Sequence, residues 1–180
     1  MLLQADQSNL LVVDIQERLA PAIADREALI ARTATLIEGA GQLGVPILVS
    51  EQYPKGLGHT VAALAPLLET EQTITKTHFS CMREPGFADR LRQAGRKQTV
   101  VVGMEAHVCV LQTVLDLLAQ RFDVFVVADA IGARTTESKS LAIERMRTAG
   151  ASVVTVEMVL FEWLERADRP EFRPLSSLIR

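Results

Sequence analysis

With 180 residues, a mass of 19.7 kDa and 48% hydrophobic residues, the chain can build one domain around a single large core and gives no sign of a second. A formal net charge of -3, a pI near 5.7 and scattered Lys and Arg exclude a nucleic-acid footprint, and no apolar run reaches the roughly 18 residues of a membrane span. "MLLQADQSNLL" at the start lacks the basic segment and small-residue cleavage site of a signal peptide, which predicts a cytoplasmic protein whose two cysteines, Cys81 and Cys109, are free thiols.

Apolar runs of strand length alternate with amphipathic stretches of helical period. The first run, "NLLVVDI" at 9–15, is continuously apolar up to Asp14, as suits a strand covered on both faces. "REALIARTATLIEGAGQLG" at 26–44 predicts a helix with Ile30, Ala34, Ile37 and Ala40 near one face and Gly44 as its stop. Strands follow at "PILVS", 46–50, and "QTITKT", 72–77, the second carrying Lys76. "QTVVVGM", 98–104, is another buried strand, and "GMEAHVCVLQTVLDLL", 103–118, leads from it into a helix with Leu111, Val114, Leu115 and Leu118 at helical spacing. The pattern repeats with "DVFVVA", 123–128, a helix "SKSLAIERMRTAG" ending at Gly150, and "ASVVTV", 151–156.

Strand, helix, strand, helix along one chain means parallel pairing through right-handed crossovers. The prediction is a single three-layer α/β/α domain over 1–180, with 165–180 as its C-terminal tail. Phe172, Leu175 and Leu178 in that tail stand at i, i+3 and i+6, one apolar edge of a short helix that needs a surface to pack on. A nucleotide-binding reading would need a Gly-rich turn after the first strand, and "VVDIQERLAPAI" has no glycine there.

Open parallel sheets carry their ligands beyond the carboxyl ends of the strands, where strand order reverses. At those ends stand Asp14, Glu51, Lys76, the "GMEAHVC" loop and Asp129. Cys109 occupies the head of a helix, where unpaired N–H groups and the macrodipole favour a thiolate, so it is the candidate nucleophile. His107, two residues away, points to a different side of the first turn and is not its base. His59 stands alone in its loop and reads as a surface residue. Cys81 and His78 follow Lys76 and line or underlie the pocket, Cys81 as a packed small hydrophobe.

"LLVVDIQERL", "KTHFS" and "VVVGMEAHVCVLQT", in that order, resemble the isochorismatase-like cysteine hydrolases over nearly the whole chain, and "EQYPKGLG" with "VLFEWLERADRPEFRPLSSLIR" is similar to the isochorismatase-domain-containing subgroup. The resemblance implies a six-stranded parallel sheet of order 3-2-1-4-5-6. It implies a catalytic triad of Asp14 as base, Lys76 as electrostatic partner and Cys109 as nucleophile, acting on a small amide or related carbonyl compound through a thioester. It also implies a cis peptide between Met104 and Glu105, with the backbone N–H groups of Glu105 and Cys109 as the oxyanion hole. Glu105 is bulky and charged where many relatives have a small or hydroxyl residue, so only its backbone is carried over. Tyr53, Leu57 and Phe79, on loops at the active end, are candidate substrate walls. Metal-dependent members carry an Asp-x-His motif where this chain has "SEQYPKGLGHT", so no metal and no cofactor are expected. True isochorismatases lack the nucleophilic cysteine, and Cys109 argues against their enol-ether chemistry. A homo-oligomer, dimer or higher, with the tail near its contact surface completes the expectation. The alternative is a catalytically silent scaffold or interaction protein with the same fold.

Overall fold

A computed structural model describes residues 1–179 as one six-stranded, all-parallel sheet between two helical layers. Its strands are β1 (Ser8–Val13), β2 (Ile47–Gln52), β3 (Thr73–Lys76), β4 (Gln98–Met104), β5 (Asp123–Gly132) and β6 (Ser152–Val154), in the order 3-2-1-4-5-6. The helices are α1 (Arg26–Gln42), α2 (Pro54–Leu57), α3 (Phe87–Gln93), α4 (Leu111–Ala119), α5 (Thr136–Thr148), α6 (Val156–Leu164) and α7 (Phe172–Leu178). Helical crossovers between the parallel strands leave β1 and β4 adjacent at the centre, which is where strand order reverses.

The alternation of side chains along each strand divides the core in two. Leu10, Val12, Val100, Val102, Phe125 and Val127 face α1 and α6, while Leu11, Val13, Val101, Val124 and Val126 face α3, α4 and α5. Every residue of β1 and β4 is buried, which explains why both read as unbroken apolar runs rather than as alternation. Thr135 and Thr155 begin α5 and α6 by accepting hydrogen bonds from the N–H groups of Ser138 and Met158 at 3.1 and 3.3 Å.

Three expectations are corrected. The buried stripe of α1 runs through Leu29, Thr33, Leu36, Ile37, Gly39 and Ala40, leaving Ile30 and Ala34 half-buried at its edge. Gly39 lies within that stripe: a Cβ there would lie 2.4 Å from Leu160 Cδ2, so α1 approaches α6 over its glycine. On α4 the fully buried positions are Thr113, Val114 and Leu117, with Leu111 nearly so, and Leu115 and Leu118 lie half-buried beside them. β5 continues past Ala128 to Gly132 through an irregularity opposite Val101 and Gly103, so Asp129 is inside the strand. Its carboxylate accepts from the Val156 N–H at 3.0 Å and pairs with Arg32 at 3.5 Å, serving the head of α6 and not the active end.

The tail packs on its own domain. Leu175 is fully buried, near Gly39 of α1, and the Phe172 ring stands 6.3 Å from that of Phe161. Its apolar edge is therefore largely used within the chain. Among the described residues no helix is long and apolar enough to cross a membrane.

Candidate active site

The register of the central strands brings the chemistry together. Val13 of β1 lies opposite Ser50 of β2 on one side and Gly103 of β4 on the other, and Gln52 lies opposite Lys76 of β3. Asp14 follows Val13 with φ +52°, a left-handed conformation that aspartate tolerates better than most residues. Its N–H donates to the Ser50 carbonyl at 3.0 Å, and its carbonyl accepts from the Gln16 N–H at 2.9 Å, which turns the chain sharply out of β1. Gly103 makes the close approach possible. With φ +129° it presses against β1, and a Cβ there would lie 2.0 Å from the Val13 carbonyl oxygen, so no larger residue fits beside the turn.

Asp14 and Lys76 form an ion pair whose side chains are wholly hidden from water, Nζ donating to Oδ2 at 2.7 Å. The ammonium also reaches Gln52 Oε1 at 2.6 Å and the carbonyls of Phe79 and His78 at 3.1 and 3.2 Å. Four acceptors face three protons, so Lys76 is saturated by the protein. It acts as a fixed positive charge, not as a free donor. Gln52 is held in turn, accepting at its carbonyl from Gln16 Nε2 (3.0 Å), donating its backbone N–H to Gln16 Oε1 (2.8 Å) and its Nε2 to the Thr77 carbonyl (2.9 Å). The second oxygen of Asp14, Oδ1, accepts from the Ser50 hydroxyl at 2.7 Å.

Cys109 interacts with the same Asp14 carboxylate. The helix that carries it opens with a π turn, Ala106–Val110, before α4 begins. In this wide turn the Glu105 carbonyl accepts from the N–H groups of Val108 and Val110, on either side of the cysteine, at 3.0 and 3.2 Å. The peptide bond between Met104 and Glu105 is cis. The Glu105 side chain turns away to a two-pronged pair with Arg134, Nε to Oε1 at 2.6 Å and Nη2 to Oε2 at 3.1 Å, which neutralises its charge.

The electrostatics run opposite to the thiolate expected at a helix head. Burial, followed by the facing Asp14 carboxylate, pushes the Cys109 thiol well above its ordinary range. Burial also raises Asp14, against the opposing pull of Lys76, Ser50 and Cys109. For Lys76 burial is again the largest influence and pulls downward, but Asp14 and the two facing thiols overcome it and leave the ammonium raised. Burial thus favours the protonated thiol, raises the proton affinity of the Asp14 carboxyl group and leaves the Lys76 ammonium favoured. An arrangement of this kind is chemically able to pass a proton from sulfur to oxygen when an electrophile arrives.

The remaining candidates separate clearly. Tyr53 and Phe79 stand on loops at this end with 55% and 53% of their surface exposed, and both are tied to Lys76 by backbone: the Tyr53 N–H donates to the Lys76 carbonyl at 2.9 Å, and the Phe79 carbonyl receives Nζ. Leu57 closes the short α2 and is half-buried. Glu51 is occupied with its own loop, accepting from the Thr60 N–H and hydroxyl at 2.7 and 2.8 Å and meeting His59 Nδ1 at 3.0 Å. His78 pairs with Glu84 at 3.0 Å, and His107 Nδ1 is buried without a hydrogen-bond partner. Among the described residues no group of three or more His, Cys, Asp and Glu stands ready to hold a metal ion. Ser50, Gln52, Gln16 and Arg134 escape the sequence reading. Ser50 and Gln52 do leave a trace: two polar residues at i and i+2 of a buried strand share one face and must meet something polar.

The sequence pattern of the isochorismatase domain matches residues 8–158. Isochorismatase domain-containing protein 1 of Salmo salar is 38% identical over 167 residues, 93% of this chain but 59% of the relative, so the chain spans less than two thirds of that protein. The secreted isochorismatase effector Isc1 of Phytophthora sojae is 38% identical over 178 residues, 96% of this chain and 84% of the relative. Among solved structures, the MAR1 ribonuclease of Caenorhabditis elegans superposes with a TM-score of 0.93 at 38% identity, covering 99% of this chain and 92% of that one. The YcaC gene product of Escherichia coli, described as an octameric hydrolase of unknown specificity, also gives 0.93 over 99% of this chain and 89% of that one, at 24% identity, a likeness of fold alone.

Proposed function

This chain belongs to the isochorismatase family, and from that premise we propose that it is a cofactor-independent cysteine hydrolase of small amides or related carbonyl compounds. The observation that carries the reading is the buried Asp14–Lys76 pair, 2.7 Å between Oδ2 and Nζ, with the Cys109 thiol facing the same carboxylate. A buried ion pair is weak evidence of stabilisation, because removing two charges from water costs as much as their attraction returns. Its place beside a thiol favours a chemical purpose.

In the proposed route the Cys109 thiol passes its proton to Asp14 as sulfur attacks the carbonyl carbon. The carbonyl oxygen becomes an oxyanion, received by the N–H groups of Glu105 and Cys109. Collapse breaks the carbon–nitrogen bond, Asp14 returns the proton to the departing nitrogen, and a thioester remains. Water then gives a proton to the same carboxylate while its oxygen attacks the thioester. Expulsion of sulfur, reprotonated by Asp14, releases the acid. Lys76 keeps its charge throughout and stabilises whichever partner is anionic. Tyr53, Leu57 and Phe79 would wall the substrate.

The test is a hydrolysis screen across small amides, ureides and hydroxamates, with wild type and Cys109→Ala in parallel. Turnover by wild type alone is expected, and it should survive exhaustive chelation because the route asks nothing of a metal ion. RNA belongs in the same screen because one structural neighbour is named a ribonuclease, and it should remain intact. Cysteine-independent turnover, or activity lost in EDTA and restored by zinc or iron, would reject the route; a silent protein throughout would favour a scaffold.

The reading also places the protein in the cytoplasm and in an oligomer. Sedimentation at micromolar concentration should report about twice 19.7 kDa or a higher multiple. A clean monomer would refute the assembly, and an oligomer unchanged by deleting residues 170–180 would remove the tail from its contact surface.

A further inference from the structure

The second cysteine is not an isolated packing residue. Cys81 is wholly buried where the chain leaves β3, and its Sγ donates to the Ser50 hydroxyl oxygen at 3.4 Å. The Ser50 hydroxyl donates in turn to Asp14 Oδ1 at 2.7 Å. Cys81 is itself placed by the helix that carries the nucleophile, its N–H donating to Thr113 Oγ1 at 3.0 Å, one helical turn beyond Cys109. A chain of three donors and acceptors therefore runs from α4 through Cys81 and Ser50 to the carboxylate.

We propose that Ser50, backed by the thiol of Cys81, is a positioning residue that fixes the rotation of the Asp14 carboxylate and keeps it charged beside Cys109. The inference rests on the triad reading above. Lys76 holds only Oδ2, and a carboxylate pinned at one oxygen can still turn about a broad, two-fold torsion. Ser50 pins the other oxygen. A serine hydroxyl has one proton to give, and what decides its direction is a second donor on its oxygen. Cys81 is that donor. Burial, followed by the charge on Asp14, pushes its thiol up to about 11, so it stays protonated through the neutral range and the order S–H to O–H to carboxylate is maintained. The titratable groups facing Asp14 are Lys76 from β3, Cys109 from the π turn and Cys81 from the turn after β3.

The experiment follows the rate at which iodoacetamide alkylates Cys109 against pH, with the modified residue assigned by peptide mass spectrometry. It needs no substrate. Alkylation of Cys109 should fall at low pH where Asp14 becomes protonated and no longer accepts the thiol proton. Ser50→Ala removes a donor to the charged form, so this acidic limb should move up by about one pH unit. Cys81→Ala should move it in the same direction by less. Ser50→Thr and Cys81→Ser, which restore a hydroxyl donor at each place, should keep the wild-type limb and show that folding is not the cause. An unmoved limb in Ser50→Ala overturns the proposal, and an unmoved limb in Cys81→Ala alone removes Cys81 from it. A wild-type profile with no acidic limb, or one unchanged in Asp14→Asn, overturns the triad reading itself and this one with it.

Discussion

Cys109→Ala should lower kcat/KM for any amide substrate by about 10⁴-fold or more, and Asp14→Asn should come close to the same loss. The double variant should be scarcely worse than either. The reason is that sulfur and carboxylate act as one unit: without the nucleophile the base has no proton to take, and without the base the buried thiol stays neutral. Asparagine suits this test because it keeps the shape of Asp14 and an oxygen for Ser50 while losing its basicity. The measurement is steady-state kinetics of the three variants on one substrate, with circular dichroism to show retained fold. Additive losses, with the double variant weaker by the product of the two, would mean the residues act independently and that Asp14 is not the base for Cys109.

The fold was legible because its strands are buried on both faces. Runs such as "QTVVVGM" coincide with β4 to the residue, the alternation of elements gives the three-layer parallel architecture, and the order 3-2-1-4-5-6 is what the family resemblance implies. Faces were harder to read than elements. On α1 a glycine, which contributes no hydrophobicity to the pattern, lies in the buried stripe where α6 comes close, alongside Leu29 and Leu36. Asp14, Lys76 and Cys109 were visible because each ends a strand or begins a helix. Ser50, Gln52 and Gln16 were not, since their task is to hold those residues and depends on register across three strands. The electrostatic setting of Cys109 is legible only in part, for a related reason. Its position suggests a stabilised thiolate, but the depth of the site and the nearness of Asp14 are properties of the folded chain, and they outweigh the helix head.

Lys76→Met should destabilise the fold by about 3–5 kcal/mol at pH 8, the usual cost of removing one partner from a buried ion pair, and by less at pH 5. Methionine matches the length of the stem, so the expected loss comes from the stranded carboxylate and from the acceptors Gln52, His78 and Phe79, which lose their donor. The pH dependence has a definite sign. Asp14 is raised in the folded state by burial, so the folded chain holds a proton that the unfolded chain releases. Stability from that proton is fully present below the unfolded pKa and is lost as pH climbs through the folded one. In the wild type Lys76 opposes the shift, and its own raised pKa keeps its contribution constant from pH 5 to 8. Without it the Asp14 window extends upward, and the deficit against wild type should grow with pH. Adding Asp14→Asn removes the stranded charge, so the double variant should recover much of the loss at pH 8 despite carrying one more substitution. Urea unfolding of wild type, Lys76→Met and the double variant at pH 5 and pH 8 measures all of this. Equal deficits at the two pH values, or a double variant no more stable than Lys76→Met, would mean that Asp14 does not depend on Lys76 for its charge, and the electrostatic role given to the lysine would have to be withdrawn.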